Sequence, residues 1–171
     1  MTIRTALLAL LLIDLGAARA QDYERVEVVT VDSTKSAADL YRAADRYFVD
    51  AFKEASRTIQ FRNEAEHMIV GRVNTTVVYQ YGKVSGSANP IPYAFLMEFQ
   101  AKQGRFRVRF YQMTLEGAPY RDEPCCWRKC DGGGETFRQS MYSVCAQALD
   151  IQTQLLDGLK AAMVSPKASD W

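Results

Sequence analysis

Between Ser36 and Tyr81 the apolar residues change their period, and that change constrains the architecture more than any other feature of the chain. Leu40, Ala44, Tyr47, Phe48, Ala51, Phe52 and Ala55 recur at spacings of three and four, which is one stripe of an α-helix. Arg42, Asp45, Arg46, Asp50 and Lys53 lie between them and form a solvated face. Ser36, with Asp39 three residues on, resembles a capping box, and neither Gly nor Pro interrupts 36–57. From Ile59 the period drops to two, the mark of a strand with one covered face. Burying Leu40, Tyr47, Phe48 and Phe52 is worth roughly 6–12 kcal/mol gross, but only if a sheet lies beneath the helix.

The strands can be assigned from the same alternation. Tyr23–Val31 is the first. Thr58–Arg62 and His67–Val73 form a hairpin around Asn63-Glu64-Ala65-Glu66. Pairing Arg62 with His67 sets Phe61 opposite Met68 and Ile59 opposite Val70, so that the apolar faces agree. The next same-side set is Val73, Thr75, Val77, Tyr79 and Tyr81. The slip between the two sets predicts one long strand, 67–81, bulged or bent near Gly71. Gly82–Pro90 reads as a polar loop and a candidate contact surface, although such loops are more often plain hairpin ends.

Tyr93–Gln100 and Arg105–Tyr111 give a second hairpin, linked by 101–104. Its expected pairs are Phe99–Phe106, Met97–Val108 and Phe95–Phe110 on one face, with Glu98–Arg107 and Leu96–Arg109 on the other. Arg105, Arg107 and Arg109 then make a basic row on the open face, either a partner surface or a solvated face with Glu98 as counter-charge. Residues 112–134 are irregular, and the glycines at 132–134 read as a hinge; they lack the Lys-Ser/Thr of a phosphate loop. Glu135 to Met163 is a long helix with Phe137, Met141, Val144, Ala148, Ile151, Leu155, Leu159 and Met163 on one stripe. Its length leaves the end beyond Leu156 to project or to pair with another chain. Residues 164–171 are a tail.

The first twenty residues read as a signal peptide. Arg4 is the positive start, Leu7–Leu15 is apolar apart from Asp14, and Ala18-Arg19-Ala20 is a cleavage site. The expected location is periplasmic or secreted. Removing residues 1–20 takes Arg4, Arg19 and Asp14 from a chain with 21 basic and 20 acidic residues, leaving the two signs balanced. That argues against a general nucleic-acid or anionic-membrane binder. No second apolar run is long enough for a membrane span in the mature chain. Cys125, Cys126, Cys130 and Cys145 are an even set, which in an exported chain favours disulfides. Cys125–Cys130 with Cys126–Cys145, and the pairing that exchanges 125 and 126, both remain open; a vicinal 125–126 bridge would be strained. The C-C-x-x-x-C spacing does not match paired zinc ligands.

The resulting order, β-α-β-β-β-β-α, is an α+β domain over 21–163: an antiparallel sheet with two helices on one face and a cysteine-bearing loop at 112–134. The opening Tyr23-Glu24-Arg25-Val26, the Leu40-Tyr41-Arg42-Ala43 start of an aromatic helix ending at Phe52, the Ile59–Gly71 segment with its Ile-Val-Gly return, and Gly104-Arg105-Phe106-Arg107-Val108 together resemble a secreted bacterial domain of unknown function with a TBP-like fold. The resemblance covers roughly 23–111; the cysteine loop and the long last helix depart from it. It implies a shape and no catalytic residues, and the TBP-like shape is not itself evidence of DNA binding.

Catalysis has little to draw on. His67 is the only histidine, and Glu64 and Glu66 sit at a turn tip. The expectation is therefore a non-enzymatic module with no cofactor and no metal. It would dock an unknown protein, or a second copy, through an open face bearing Leu96, Glu98, Arg105, Arg107 and Arg109, with Thr76 and Val78 beside them. Two alternatives are an apolar-ligand carrier, with a cavity behind Phe48, Phe52, Phe95, Phe99 and Phe110, and a structural component of an envelope assembly using the last helix.

Overall fold

A computed structural model describes residues 24–52, 55–80, 88–115 and 134–164. The elements run β1 (Arg25–Thr30), α1 (Ala37–Ala51), α2 (Ala55–Thr58), β2 (Ile59–Asn63), β3 (Met68–Gln80), β4 (Ala88–Lys102), β5 (Arg105–Leu115) and α3 (Glu135–Val164). The strands form one antiparallel sheet in the order β1-β5-β4-β3-β2. Both long helices lie on one face, as the alternation requires.

Helix α1 starts where its cap predicts. The Ser36 hydroxyl accepts from the Asp39 N–H at 3.1 Å and donates to the Asp39 carboxylate at 2.8 Å. Leu40, Tyr41, Ala44 and Phe48 are buried. The helix stops earlier than its apolar stripe suggests. Phe52 is extended and folds its ring to 5.6 Å from that of Phe48, and Ala51 is exposed. The short α2 then occupies the place where the strand was expected to begin.

The β2–β3 hairpin corrects the expected register. Asn63 faces Met68, Arg62 faces Ile69 and Phe61 faces Val70. His67 is used by the turn: its φ is 51°, its N–H bonds to the Glu64 carbonyl at 3.2 Å, and Glu66 N–H bonds to Asn63 Oδ1. It is a half-buried turn residue, edge-on to Tyr41, and not a strand residue. Consequently Ile69, fully buried, faces the helices, whereas Met68 and Val70 face away. From Ile69 to Tyr79 the alternation runs without a slip, and the irregularity sits on β2 between Ile59 and Phe61. Gly71 serves close packing: a Cβ there would stand 2.8 Å from Phe48 Cε1, so α1 seats on the sheet where a side chain is missing.

The β4–β5 hairpin is also offset. Phe99 faces Val108, Met97 faces Phe110, Glu98 faces Arg109 and Gln100 faces Arg107. A two-residue turn, Gln103-Gly104, replaces the expected four-residue linker, with Gly104 at φ +69°. Each residue keeps its face because the shift is two residues. Strand β5 continues to Leu115, four residues into the stretch expected to be irregular, past Gln112 at φ 51° where the register against β4 shifts. Strand β4 begins at Ala88, inside the expected loop, and runs through Pro90 and Pro92. Pro90 stands opposite Val78, whose N–H and C=O turn outward to the Gln147 side chain at 2.9 Å each. The pair is therefore non-hydrogen-bonded, and the missing proline N–H removes no ladder bond. The rest of the expected loop, 82–87, lies outside the described residues, as does Tyr81, the expected end of the preceding strand.

Helix α3 does not project. Leu156, Leu159 and Met163 are at most 2% exposed. The Tyr47 hydroxyl donates to the Leu155 carbonyl at 2.9 Å, and a Cβ at Gly158 would stand 2.7 Å from that hydroxyl oxygen. The Lys35 ammonium caps the Met163 carbonyl, a cation at the negative end of the helix. The far end of α3 is thus spent on α1 and is not a free partner helix. Val164, expected in the tail, is its last residue.

Candidate functional site

On the helix side of the sheet, the aromatics named as cavity lining lie packed among their neighbours. Phe48, Phe95, Phe99 and Phe110 are at most 1% exposed. Phe95 contacts the rings of Tyr93 at 5.1 Å and Phe110 at 5.9 Å, and Phe99 lies 5.5 Å from Phe106. These side chains fill the core against one another. Gln152 is the polar member, buried between the Tyr93 hydroxyl at 2.8 Å and the Met113 sulfur at 3.4 Å.

The other side of the sheet is covered by neither long helix. Strand alternation brings Val26 and Val28 of β1, Arg105, Arg107, Arg109 and Tyr111 of β5, Leu96, Glu98 and Gln100 of β4, Met68 and Val70 of β3, and Phe61 of β2 onto it. Its centre is a charge ladder. Arg107 donates to Glu98 at 2.8 Å and to Gln100 at 3.1 Å. Arg109 lies 3.8 Å from the other Glu98 oxygen and 2.7 Å from Glu24. Its guanidinium also sits 4.4 Å over the ring of Tyr111. The hydrogen bond that Arg109 donates to the Glu24 carboxylate holds its guanidinium even more firmly charged than usual, and burial pushes the Tyr111 phenol up. Glu98 is only 9% exposed although it stands on the open face, because its neighbours' side chains lie over it.

All five residues of the expected partner surface therefore share one face, and Thr76 and Val78 share it too. They are not a free basic row. Arg107 and Arg109 are committed to Glu98, while Arg105 is exposed and makes no ion pair among the described residues. Leu96 is half-buried. Beside Arg105 a shallow groove of about 170 Å³ is lined by Val28, Gln100, Lys102, Arg105, Phe106 and Arg107. Sequence reasoning missed the apolar margins: Val26 and Val28 are 47% and 63% exposed, and Phe61 is 45% exposed. The alternation of β1 carried the signal for the valines. Phe61 was hidden by the β2 irregularity.

Among the described residues, no group of three or more His, Cys, Asp or Glu side chains is gathered as metal ligands are. Glu64 and Glu66 are exposed at their turn. No described helix is long and apolar enough to cross a membrane. Cys145 lies 7% exposed on the core side of α3; Cys125, Cys126 and Cys130 lie outside the described residues, as do the expected signal peptide, the glycines at 132 and 133 and the 165–171 part of the tail.

Residues 26–116 match the family described as a domain of unknown function (DUF4468) with TBP-like fold. A DUF4468 family protein from Bacteroides ovatus ATCC 8483 has a similar structure, with TM-score 0.65 and 12% identity, over 91% of this chain and 93% of that one. A TBP-like protein from Parabacteroides distasonis ATCC 8503 is similar with TM-score 0.58 and 9% identity, over 85% of this chain and 96% of that one. At these identities the likeness is one of fold. No curated protein matches the sequence. With the matched stretch spanning β1 to the end of β5, and the same α+β layout in both solved structures, this chain belongs to the DUF4468 family of TBP-like fold.

Proposed function

We propose that the chain is an exported accessory module without catalytic activity, and that it docks a protein partner on the open face of its sheet. One observation carries the reading. The centre of that face is already ordered, with Glu98 held under Arg107 and Arg109, while Val26, Val28 and Phe61 stay exposed at its two margins. A surface whose polar groups are fixed before binding loses little side-chain freedom on contact. Exposed apolar side chains at its edges favour contact with another protein surface. The balanced charge of residues 21–171 favours a protein over a nucleic acid. Export rests on the signal-like residues 1–20 and on the cysteines; in this reading Cys145 pairs with one of Cys125, Cys126 and Cys130.

The test is affinity capture from an envelope extract with the exported protein as bait. A discrete partner is expected, lost on Arg107→Glu and kept on Val49→Asp, a change on the exposed side of α1. Capture unchanged by Arg107→Glu sinks the open-face reading. The intact mass of the same preparation checks export and pairing: it should equal residues 21–171 less one hydrogen per cysteine, whereas a full-length mass would contradict export and free thiols would contradict pairing.

A further inference from the structure

The two edges of the sheet are treated differently. At the β2 edge the outer strand is short and irregular, and beyond it Gln147 covers the backbone of Val78. Such features block the addition of another strand. At the other edge, β1 pairs only with β5 among the described residues. Arg25–Thr30 contains no proline, lysine or bulge, and its open-face side chains include the exposed Val26 and Val28. The Val31 N–H bonds to the Gly104 carbonyl at 2.9 Å, which fixes the parity of the ladder. Val29, Glu27 and Arg25 turn their backbone groups towards β5; Val26, Val28 and Thr30 turn theirs outward.

We infer that β1 pairs antiparallel with β1 of a second copy, about a two-fold axis through Val26, to make one sheet across the dimer. An isologous pairing that keeps the faces matched centres on a residue, and centring on Glu27 would set two carboxylates against each other, which leaves Val26 and Val28. Centring on Val28 sets Glu27 against the partner's Val29. Centring on Val26 sets Arg25 against the partner's Glu27, twice by symmetry, and lets Val26 exchange backbone hydrogen bonds with the partner's Val26. Arg25 and Glu27 already lie 3.2 Å apart within one chain, and the Glu27 side chain is 41% exposed, so it is open to a second guanidinium. The dimer uses the sheet edge and does not depend on the docking reading of the open face.

Sedimentation velocity of the full exported chain tests this over a concentration series reaching about 1 mM, where a short strand pairing should be populated. A reversible monomer–dimer equilibrium is expected. Val26→Pro deletes an outward N–H and no β5 ladder bond, so the dissociation constant should rise at least about tenfold. Arg25→Glu should weaken the dimer, and adding Glu27→Arg should restore it, a readout that holds even if the proline variant fails to fold. A monomer at every concentration, or a dimer indifferent to the charge reversals, overturns the proposal. Arg107→Glu should leave the dimer intact, so failure of the docking reading and failure of this one are separable.

Discussion

Strand β4 has two sides with different chemistry. Tyr93, Phe95, Met97 and Phe99 point to the helices and are at most 2% exposed; Leu96, Glu98 and Gln100, on the same strand, point away. The first side is held by shape. Its aromatics interlock, and two glycines let the helices approach: Gly71 under Phe48, and Gly158 beside Tyr47. The second side is held by charge, with one carboxylate pinned by two guanidinium groups. Burial therefore does not separate core from surface in this sheet. Glu98 is nearly as enclosed as Ile91, yet it belongs to the outward face. A face ordered by ion pairs keeps its polar character and remains available to a partner, while a face ordered by packing is used up by the fold.

That contrast sets an order of sensitivity. Phe95→Ala should be the most damaging, by about 3–5 kcal/mol, because the ring is enclosed by Tyr93 and Phe110 and leaves a cavity when removed. Urea unfolding followed by circular dichroism checks it. Gly158→Ala should cost about 1–3 kcal/mol by pushing Tyr47 off the Leu155 carbonyl, and Tyr47→Phe in the same background should recover part of the loss. Glu98→Gln keeps the shape and removes the charge. Its cost should be about 1–2 kcal/mol, discounted because Arg107 is itself 45% exposed, and should shrink in high salt. A large, salt-independent loss at Glu98 would mean that the outward face is also held by packing.

The smallest effect is titrable. Burial raises the Tyr47 phenol above its ordinary range, so the unfolded chain ionises first. The stabilisation is complete below pH about 10 and is lost as the pH climbs through the raised folded value. Thermal melts from neutral to strongly alkaline pH should fall less steeply in Tyr47→Phe than in the parent. Tyr41 and Tyr111, raised also by desolvation, contribute to the slope that remains.

Much of this architecture was legible in the sequence because period-two and period-3.6 patterns report which face is covered. The cap at Ser36, the α3 stripe, the helix-facing residues of β4 and β5 and the shared face of Leu96, Glu98, Arg105, Arg107 and Arg109 all follow from it. Register was harder, because it depends on turn geometry. His67 and Gly104 both adopt positive φ, and each shortens or shifts a hairpin in a way that apolar spacing does not encode. The error at His67 reversed the faces of Met68 and Ile69; the error at Gly104 moved partners by two and reversed nothing. Gly71 read as a bulge because a strand glycine has two explanations, and only the position of Phe48 selects close approach. The open face was recognised by its charges, with Glu98 as counter-charge; that this one carboxylate meets both Arg107 and Arg109 depends on the observed register.

Site-specific photocrosslinking tests the docking reading most directly. A photoreactive side chain at Phe61, on the open face and remote from the β1 edge, is compared with one at Val49, exposed on α1. In intact cells, Phe61 should give a discrete heterologous adduct that Val49 does not, and Arg107→Glu should abolish it. Equal adducts from both positions, or none from Phe61 in a correctly exported protein, would contradict a docking face on the open side of the sheet.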